Sequence, residues 1–363
     1  MRIWTHLTER VLSTRELNRA LLARQLLLER SSLPLTRALE AVGGLQTQHA
    51  PSGYVGLWSR LRNFRRAALT EALVNRTAIQ GTLMRSTIHT VSAADYPVLL
   101  AGVRSGRREW WQWVVRHQAE GLDMKAVVDL VRARLQQGPA RTSELKALLA
   151  AKGVPPIGWS GIGLWLDLIR VPPSGTWERR RADLYGLAEA WVRMGDVTES
   201  KGMEHLVRRY LGGFGPASVA DIASWAGLPP SKMAPVIERL RLRRFRDERG
   251  RVLVDLPGAP LPDASARAPV RFLQTFEALL MIHARRTQVM PEAFRPIVFN
   301  TKTPHSIPVF LIDGAVAGTW RYEGGRVRVD AFAPIPRAAG RELDEEAKAL
   351  AAFHADPASV RAS

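Results

Sequence analysis

The chain has 363 residues and a formal net charge of +18 at pH 7. It contains no cysteine, which excludes disulfides, thiolate metal sites and cysteine nucleophiles. No apolar run approaches the ~18 residues that a membrane helix needs, and the first ten residues have no apolar segment typical of a secretory signal. We therefore expect a soluble cytoplasmic protein that does not enter a membrane.

The basic residues give the first indication of a partner. Lysine and arginine total 52 against 34 aspartate and glutamate residues, and arginine supplies 45 of the 52. A balance this basic predicts attraction to a polyanion, most commonly DNA. A GC-rich genome would explain arginine in place of lysine, but it would not explain the size of the net charge. We therefore expect a double-stranded DNA partner and association with the nucleoid.

The first predicted unit covers residues 1–105. Residues 33–44 have the pattern of a helix that ends at the Gly43-Gly44 pair, where a glycine can adopt the left-handed conformation that ends many helices. Residues 78–91 are expected to supply two strands. This unit is the weakest copy of a pattern that occurs twice more along the chain.

The second predicted unit covers residues 106–198. A helix is expected over residues 138–149 and a further helix over residues 165–169. Residues 177–187 are expected to form a strand pair that carries three consecutive arginines, Arg179, Arg180 and Arg181.

The third predicted unit covers residues 199–258 and has the clearest pattern. Alternating residues on either side of Gly250 predict a β-hairpin, and Gly227 is placed to end a helix. The first predicted helix covers residues 205–211 and ends at Gly212-Gly213, and the second covers residues 218–226. A third helix is capped by Ser231, and a hairpin covers residues 244–254.

The three units are related by an internal repeat. Gly138-Pro139-Ala140 occurs again 77 residues later as Gly215-Pro216-Ala217, each time before a predicted helix. Three helices followed by a basic hairpin are typical of a winged helix, whereas an unspecialised helical subdomain would leave the basic hairpin unexplained. The sequence thus predicts an α+β protein with three tandem winged helix-turn-helix domains.

The composition changes at a proline-rich linker near residues 257–262, and a β-rich domain is expected over residues 259–340. Asp313-Gly314 and Gly324-Gly325 are strong hairpin signals. Strands are predicted over residues 297–299, 307–312, 315–322 and 326–332, and we expect them to form a partly closed barrel. A helix over residues 343–353 is predicted in the C-terminal segment, residues 341–363.

Two glutamines follow the Gly43-Gly44 pair, in the segment Leu45-Gln46-Thr47-Gln48-His49. Side chains at positions i and i+2 diverge on a helix but share one face of an extended chain. Gln46 and Gln48 would then direct two neutral amides at one point, with donors and acceptors but no charge to repel phosphate. Glutamines near a turn are more often ordinary surface residues, so this pattern alone does not identify a site.

Other residues are weaker candidates for DNA or lesion contacts. Arg85, Thr87 and His89 alternate, which on a strand would place them on one face, either towards a cleft or in a wing with a satisfied histidine. Trp110, Trp111 and Trp113 lie beside arginines and could stack on bases, although tryptophans at this spacing more often belong to a core. The remaining candidates are Thr47, His49, Arg179, Arg180, Arg244, Arg249, His283 and Arg286.

The histidines are scattered, no metal-ligand spacing is present, and no glycine-rich nucleotide-binding signature occurs. We therefore expect no metal and no cofactor. On composition and periodicity alone, a DNA-binding regulator would be the simplest interpretation.

The sequence resembles the bacterial winged-helix DNA glycosylases, the superfamily whose founding member gives self-resistance to the DNA-alkylating antibiotic azinomycin B. Three segments carry the resemblance, which extends from about residue 17 to residue 332. They are Gln46-Thr47-Gln48 within GGLQTQHAPSGYVGLWSRL, LMRSTIHTV at residues 83–91, and LIDGAVAGTW at residues 311–320.

This resemblance implies a fold, an activity and a site. The family has three tandem winged helices and a C-terminal β-domain in a C-shaped clamp, and its members excise alkylated bases as monofunctional enzymes. Its catalytic Gln-x-Gln or Gln-x-Asp motif corresponds to Gln46 and Gln48, and the Gln-x-Gln form is associated with antibiotic-resistance members. The implied substrate is duplex DNA containing N7-alkylguanine, with crosslinked DNA as a further candidate, and the implied enzyme acts as a monomer.

The resemblance also suggests separate tasks for the two amides. We expect Gln46 mainly to place the water and Gln48 to position the substrate or the water. A transcriptional regulator and a catalytically inactive lesion-binding protein are the alternatives; the former would be expected to form a dimer that reads a palindrome.

Overall fold

The computed structural model describes residues 9–281, 286–299 and 306–356, and it combines helices with sheets whose strand pairs are mostly antiparallel. None of the helices in these ranges has both the length and the apolar character that a membrane span requires.

The N-terminal segment contains the helix and the two strands predicted for it. The predicted helix over residues 33–44 is shorter, because Gly43 and Gly44 adopt φ values of 74° and 80° that end it. The elements are β1 (Val11–Leu12), α1 (Thr14–Arg24), α2 (Leu35–Ala41), β2 (Leu45–Gln46), α3 (Ala50–Arg60), α4 (Arg66–Val74), β3 (Ala78–Thr82) and β4 (Ile88–Ser92).

The middle segment differs from its prediction in two places. Residues 165–169 do not form a helix, because the helix begins earlier, at Pro156, and a strand starts at Leu168. The three arginines of residues 179–181 lie in a loop before a strand. The elements are α5 (Asp95–Val114), α6 (Met124–Gln136), β5 (Ala140–Arg141), α7 (Thr142–Ala151), α8 (Pro156–Trp165), β6 (Leu168–Arg170) and β7 (Leu184–Leu187).

Strands from these two segments form one sheet and not two separate wings. Its order is β2-β4-β3-β6-β7-β5, and it is joined across the segments where Gly81 pairs with Ile169. Helix α5 also runs without interruption through the predicted boundary at residues 105 and 106. The first two predicted units are therefore connected by a shared sheet and by a continuous helix.

The third segment has the predicted order of three helices and a hairpin. Gly227 ends the second helix with a φ of 74°, as predicted, but Ser231 lies inside the third helix, whose N-cap is Pro229. Gly212 and Gly213 lie within the first helix, which continues to Phe214. The elements are α9 (Glu199–Phe214), α10 (Val219–Ala226), α11 (Pro230–Arg239), β8 (Arg243–Asp247) and β9 (Val252–Asp255), with β1 paired in parallel to β8.

The C-terminal segment forms an open four-stranded sheet in the order β10-β11-β12-β13, and not the predicted barrel, since β10 and β13 lie at its two edges. Both predicted hairpin turns connect strands. Residues 297–299 do not form the predicted strand, because residues 297 and 298 end a short helix that residue 299 follows. The elements are β10 (Arg271–Leu273), α12 (Ala278–Met281), α13 (Arg295–Val298), β11 (Val309–Ile312), β12 (Ala315–Glu323), β13 (Arg326–Ala331) and α14 (Arg337–Ala355).

Buried ion pairs connect the N-terminal helices to distant parts of the chain. Arg24 of α1 binds Asp255 of β9 at 2.6 Å, and Arg60 of α3 binds Glu277 at 2.9 Å, with all four side chains inaccessible to solvent. Removing one partner of such a pair would leave a buried charge uncompensated, which is strongly unfavourable. These pairs fix the positions of α1 and α3.

Helices α5 and α9 cross at a pair of glycines. A Cβ atom built on Gly202 would lie only 2.3 Å from the backbone nitrogen of Gly102. The two backbones are in direct contact at this point, so neither position has room for a side chain.

We expect Gly202→Ala to destabilise the fold by about 1–3 kcal/mol, because the added methyl group must push the two helices apart. Gly212→Ala is the matched control in the same helix, since its Cβ would meet only Leu256 at 4.0 Å. The control should leave stability unchanged or raise it by up to about 1 kcal/mol. Urea unfolding followed by circular dichroism measures both effects, and equal stabilities of the two variants would contradict the crossing.

Candidate active site

The segment with the two glutamines leaves α2 in an extended conformation. Gln46 lies on strand β2, opposite His89 of β4, and the Thr47 amide donates a hydrogen bond to the Ile88 carbonyl at 2.8 Å. The positive φ values of Gly43 and Gly44 turn the chain from the helix into this strand. The extended geometry inferred from the glutamine spacing is therefore present.

The two glutamine amides are in contact. Gln46 Nε2 donates a hydrogen bond to Gln48 Oε1 at 2.7 Å. Gln46 is only 2% exposed, whereas Gln48 is exposed to solvent. Arg85 donates a hydrogen bond to Gln46 Oε1 from the other side. The three side chains thus form a chain of hydrogen bonds from half-buried Arg85 through buried Gln46 to exposed Gln48.

Arg85 does not lie on a strand, which corrects the prediction that Arg85, Thr87 and His89 alternate along one. Arg85 and Ser86 have φ values of 52° and 57° in a single helical turn before β4. Left-handed backbone at two successive non-glycine residues costs about 1–3 kcal/mol for each. The turn fits closely against α10, since a Cβ atom on Gly227 would lie 2.8 Å from the Arg85 backbone nitrogen.

The electrostatics around Gln46 follow from burial. Burial lowers the pKa of Arg85 to about 10, so its guanidinium remains charged at neutral pH. Its Nη1 atom is buried and lacks a hydrogen-bond partner among the described residues. Burial, together with the charge of Arg85, lowers the pKa of His89 to about 3, so that imidazole is neutral. A buried neutral ring does not fit the predicted DNA contact by His89.

Thr47 is also buried completely, which does not fit its predicted contact with DNA. Its hydroxyl and that of Thr90 are 2.9 Å apart, and its carbonyl accepts a hydrogen bond from Arg170 Nη1 at 2.9 Å. Thr47 therefore anchors the segment from inside. Arg170 belongs to β6, far along the chain, and no local pattern in the sequence singles it out.

Thr87 has a local partner. Its hydroxyl donates a hydrogen bond to the Met84 carbonyl at 3.0 Å, which supports the turn around Arg85. His49 is exposed and lines a small pocket together with Arg180, so the loop with the three arginines comes close to the glutamine segment.

The other predicted basic contacts are distributed over several elements. Arg179 and Arg180 are exposed and line one groove with Arg141 and Arg181. Arg244 and Arg249 are exposed on the β8–β9 hairpin, in a different sheet from the glutamines. His283 and the side chain of Arg286 lie outside the described part of the structure.

The three neighbouring tryptophans have different environments. Trp111 is buried and packs edge-on against Trp165 with 5.0 Å between ring centroids. Trp110 and Trp113 are 53% and 67% exposed, so they do not belong to the core that their spacing favours. Trp110 lines a cleft of about 520 Å³ that also includes Arg85.

Chemically, this arrangement provides a positioned neutral amide at the surface of a basic protein. Gln48 can accept and donate hydrogen bonds through an amide whose carbonyl is held by Gln46. The hydrogen-bonded group contains no carboxylate, and the described residues include no cluster of three metal-ligating side chains. It is suited to orienting a water molecule or a sugar oxygen, and not to removing a proton as a strong base.

Comparisons with known proteins identify the family of this chain and a structure with a similar fold. The sequence profile of the family described as DNA glycosylase AlkZ-like matches residues 39–353. Among solved structures, the chain is similar to the Streptomyces sahachiroi DNA glycosylase AlkZ, with a TM-score of 0.78 and 18% identity over 94% of this chain and 96% of that one. That likeness shows a common fold, and no curated protein sequence matches. Because the family profile covers most of its length, the chain belongs to the AlkZ-like DNA glycosylases.

Proposed function

We propose that this glycosylase hydrolyses the N-glycosidic bond of a cationic N7-alkylated guanine in duplex DNA, with Gln48 as the catalytic residue that contacts the reacting water or sugar. The observation that carries the proposal is the hydrogen-bonded pair of amides, in which Gln46 is buried and Gln48 reaches solvent. A neutral amide suits a substrate that already has a good leaving group.

The alkylated guanine needs little assistance from the enzyme to leave the sugar. Alkylation at N7 gives guanine a positive charge, so the electron pair of the C1′–N9 bond leaves with N9 and the base departs neutral. Water then adds to C1′ of the oxocarbenium-like sugar and gives up a proton to solvent. Normal purines are poorer leaving groups and would be spared, because the site offers orientation without a general acid or base.

The burial of Gln46 supports a task for it other than the water placement expected from the sequence, whereas Gln48 keeps its expected task. With Oε1 bound by Arg85 and Nε2 bound to Gln48, Gln46 is a positioning residue that acts through Gln48. Gln48 keeps its Nε2 donors and a second lone pair on Oε1 for the water or for a substrate oxygen.

DNA would be held by the positive charge and by several basic elements. The arginines that would meet phosphates are exposed: they are those of the 171–183 loop, including Arg179 and Arg180, and Arg244 and Arg249 on the hairpin. Replacing one arginine that binds a phosphate should reduce the salt dependence of DNA binding by about one counterion. We further propose that winged-helix units form a clamp that encloses the duplex, so that a monomer suffices for binding. The protein would act in the cytoplasm in base excision repair of alkylation damage, including bulky antibiotic adducts and crosslinks.

We expect the wild-type protein to excise N7-methylguanine from duplex DNA, and the Gln46→Ala/Gln48→Ala variant to be about 10²–10⁴-fold slower under single-turnover conditions. Alkaline cleavage of the abasic product measures excision, and fluorescence anisotropy measures binding. Borohydride should trap no covalent complex, because a monofunctional enzyme forms no Schiff base. If the wild type binds but excises no N7 adduct, the proposal fails and a regulator becomes the better interpretation.

The task of Gln46 can be tested by Gln46→Glu. The carboxylate still accepts the hydrogen bond from Arg85 but cannot donate one to Gln48 Oε1, so the Gln48 amide is no longer held with its oxygen towards residue 46. We expect the single-turnover rate to fall by about 10²-fold, with half-saturating enzyme concentration unchanged. A higher half-saturating enzyme concentration with an unchanged rate would instead indicate that Gln46 contacts the substrate.

The pH profile should lack a titrating catalytic group. His89 gains a proton only near its pKa of about 3, and Arg85 releases one only near its pKa of about 10. At saturating enzyme, neither side chain should therefore produce a transition in the rate of N7-methylguanine excision between roughly pH 5 and pH 9. A bell-shaped profile within this range would show that a general acid and a general base take part in catalysis, which would contradict the proposed mechanism.

A further inference from the structure

A cleft of about 520 Å³ is lined in part by Arg85 and Ser86, and neither Gln46 nor Gln48 contributes to its lining. Its volume falls within the range of about 300–1,000 Å³ that is typical of small-molecule sites. Its lining comes chiefly from the ends of α5 and α8, and includes Trp110, Val114, Trp159, Gly163 and Tyr185.

The walls of this cleft are aromatic and accessible. Trp110 is 53% exposed and Val114 is 44% exposed, while Trp159 is half-buried. Large apolar side chains grouped at the surface of a protein often mark a binding site, because leaving them in water is unfavourable.

The structure behind the walls holds them in place. Trp111 packs edge-on against Trp165, and its Nε1 donates a hydrogen bond to Ser160 Oγ at 3.0 Å. This contact fixes α5 against α8, so Trp110 and Trp159 project from two elements that cannot easily move apart. A preformed aromatic cleft favours a flat ligand, because tryptophan faces stack on flat rings.

The position of the cleft connects it to the site of base excision. Arg85 contributes to the lining and also donates a hydrogen bond to Gln46. A ring held in the cleft would thus lie near Arg85, the side chain that binds the Gln46 amide. A cationic ring would gain further attraction to the faces of tryptophan.

We propose that the Trp110–Trp159 cleft binds a flat aromatic ring system of the substrate, an inference that rests on the proposed glycosylase function. Two sources provide this chemistry: the alkylated guanine itself, displaced from the duplex, and an aromatic group attached to its N7 atom. Both place rings beside Arg85, and they differ in whether a small adduct uses the cleft.

Two variants change the cleft in opposite ways. Trp110→Ala removes one aromatic wall, and Trp113→Ala is its matched control because Trp113 is similarly exposed on the same helix but does not line the cleft. Gly163→Leu fills the cleft instead, since a Cβ atom there would meet only Thr82 Oγ1 at 3.4 Å. Circular dichroism and the thermal midpoint check that each variant is folded.

The test uses full-length protein and two duplexes, one with N7-methylguanine and one with N7-(9-anthracenylmethyl)guanine. Binding by fluorescence anisotropy to the intact adduct and single-turnover excision are measured for every variant. Trp110→Ala and Gly163→Leu should each weaken binding by about tenfold or more relative to Trp113→Ala.

Weaker binding of both duplexes would support the cleft as the site of the displaced base, and weaker binding of the anthracenyl duplex alone would support it as the site of the attached group. The proposal is overturned if both duplexes bind Trp110→Ala and Gly163→Leu as tightly as Trp113→Ala. Failure of the wild type to excise either adduct would instead count against the glycosylase function, since the binding comparison does not depend on cleavage.

Discussion

Gln46 is a polar side chain with almost no access to water, so the fold must supply a partner for both ends of its amide. Arg85 provides the donor for Oε1, and Gln48 provides the acceptor for Nε2. These two bonds fix which way the amide faces, and Gln48 is held at the surface in one orientation as a result. A flexible surface glutamine thereby becomes a preorganised group, which is the main contribution that a neutral amide can make to catalysis.

Distant parts of the chain maintain this arrangement. The left-handed turn at Arg85 packs against Gly227 at the end of α10, and Arg170 on β6 binds the Thr47 carbonyl. The α5–α9 crossing at Gly102 and Gly202 brings the third segment close to the shared sheet. Because α5 also carries Trp110, this packing also positions the aromatic cleft that Arg85 lines. Catalysis and lesion binding would therefore both depend on contacts between segments.

The local patterns of the sequence predicted the extended glutamine segment, the hairpins of the third and C-terminal segments and most of the helices proposed, because alternation and glycine position act over a few residues. They did not predict the loop at residues 179–181, where a strand pair was expected. They could not predict the orientation of Gln46, which depends on Arg85 and Gly227, or the contribution of Arg170. Residues 297–299 are a short apolar run, which periodicity cannot assign to helix or strand. Trp110 and Trp113 share one helix face, and Trp111 lies on another. The spacing was therefore compatible with packing into a core. Which face is covered depends on the packing of α8, which the spacing does not reveal.

The most direct test of this account is a double-mutant cycle on the excision rate of N7-methylguanine, with Gln46→Glu, Gln48→Ala and the combined variant. If Gln46 acts only by orienting Gln48, its substitution should have no further effect once Gln48 is alanine, so the combined variant should match Gln48→Ala alone. If the two rate reductions multiply, Gln46 must act on the substrate independently, and the positioning role assigned to it is wrong.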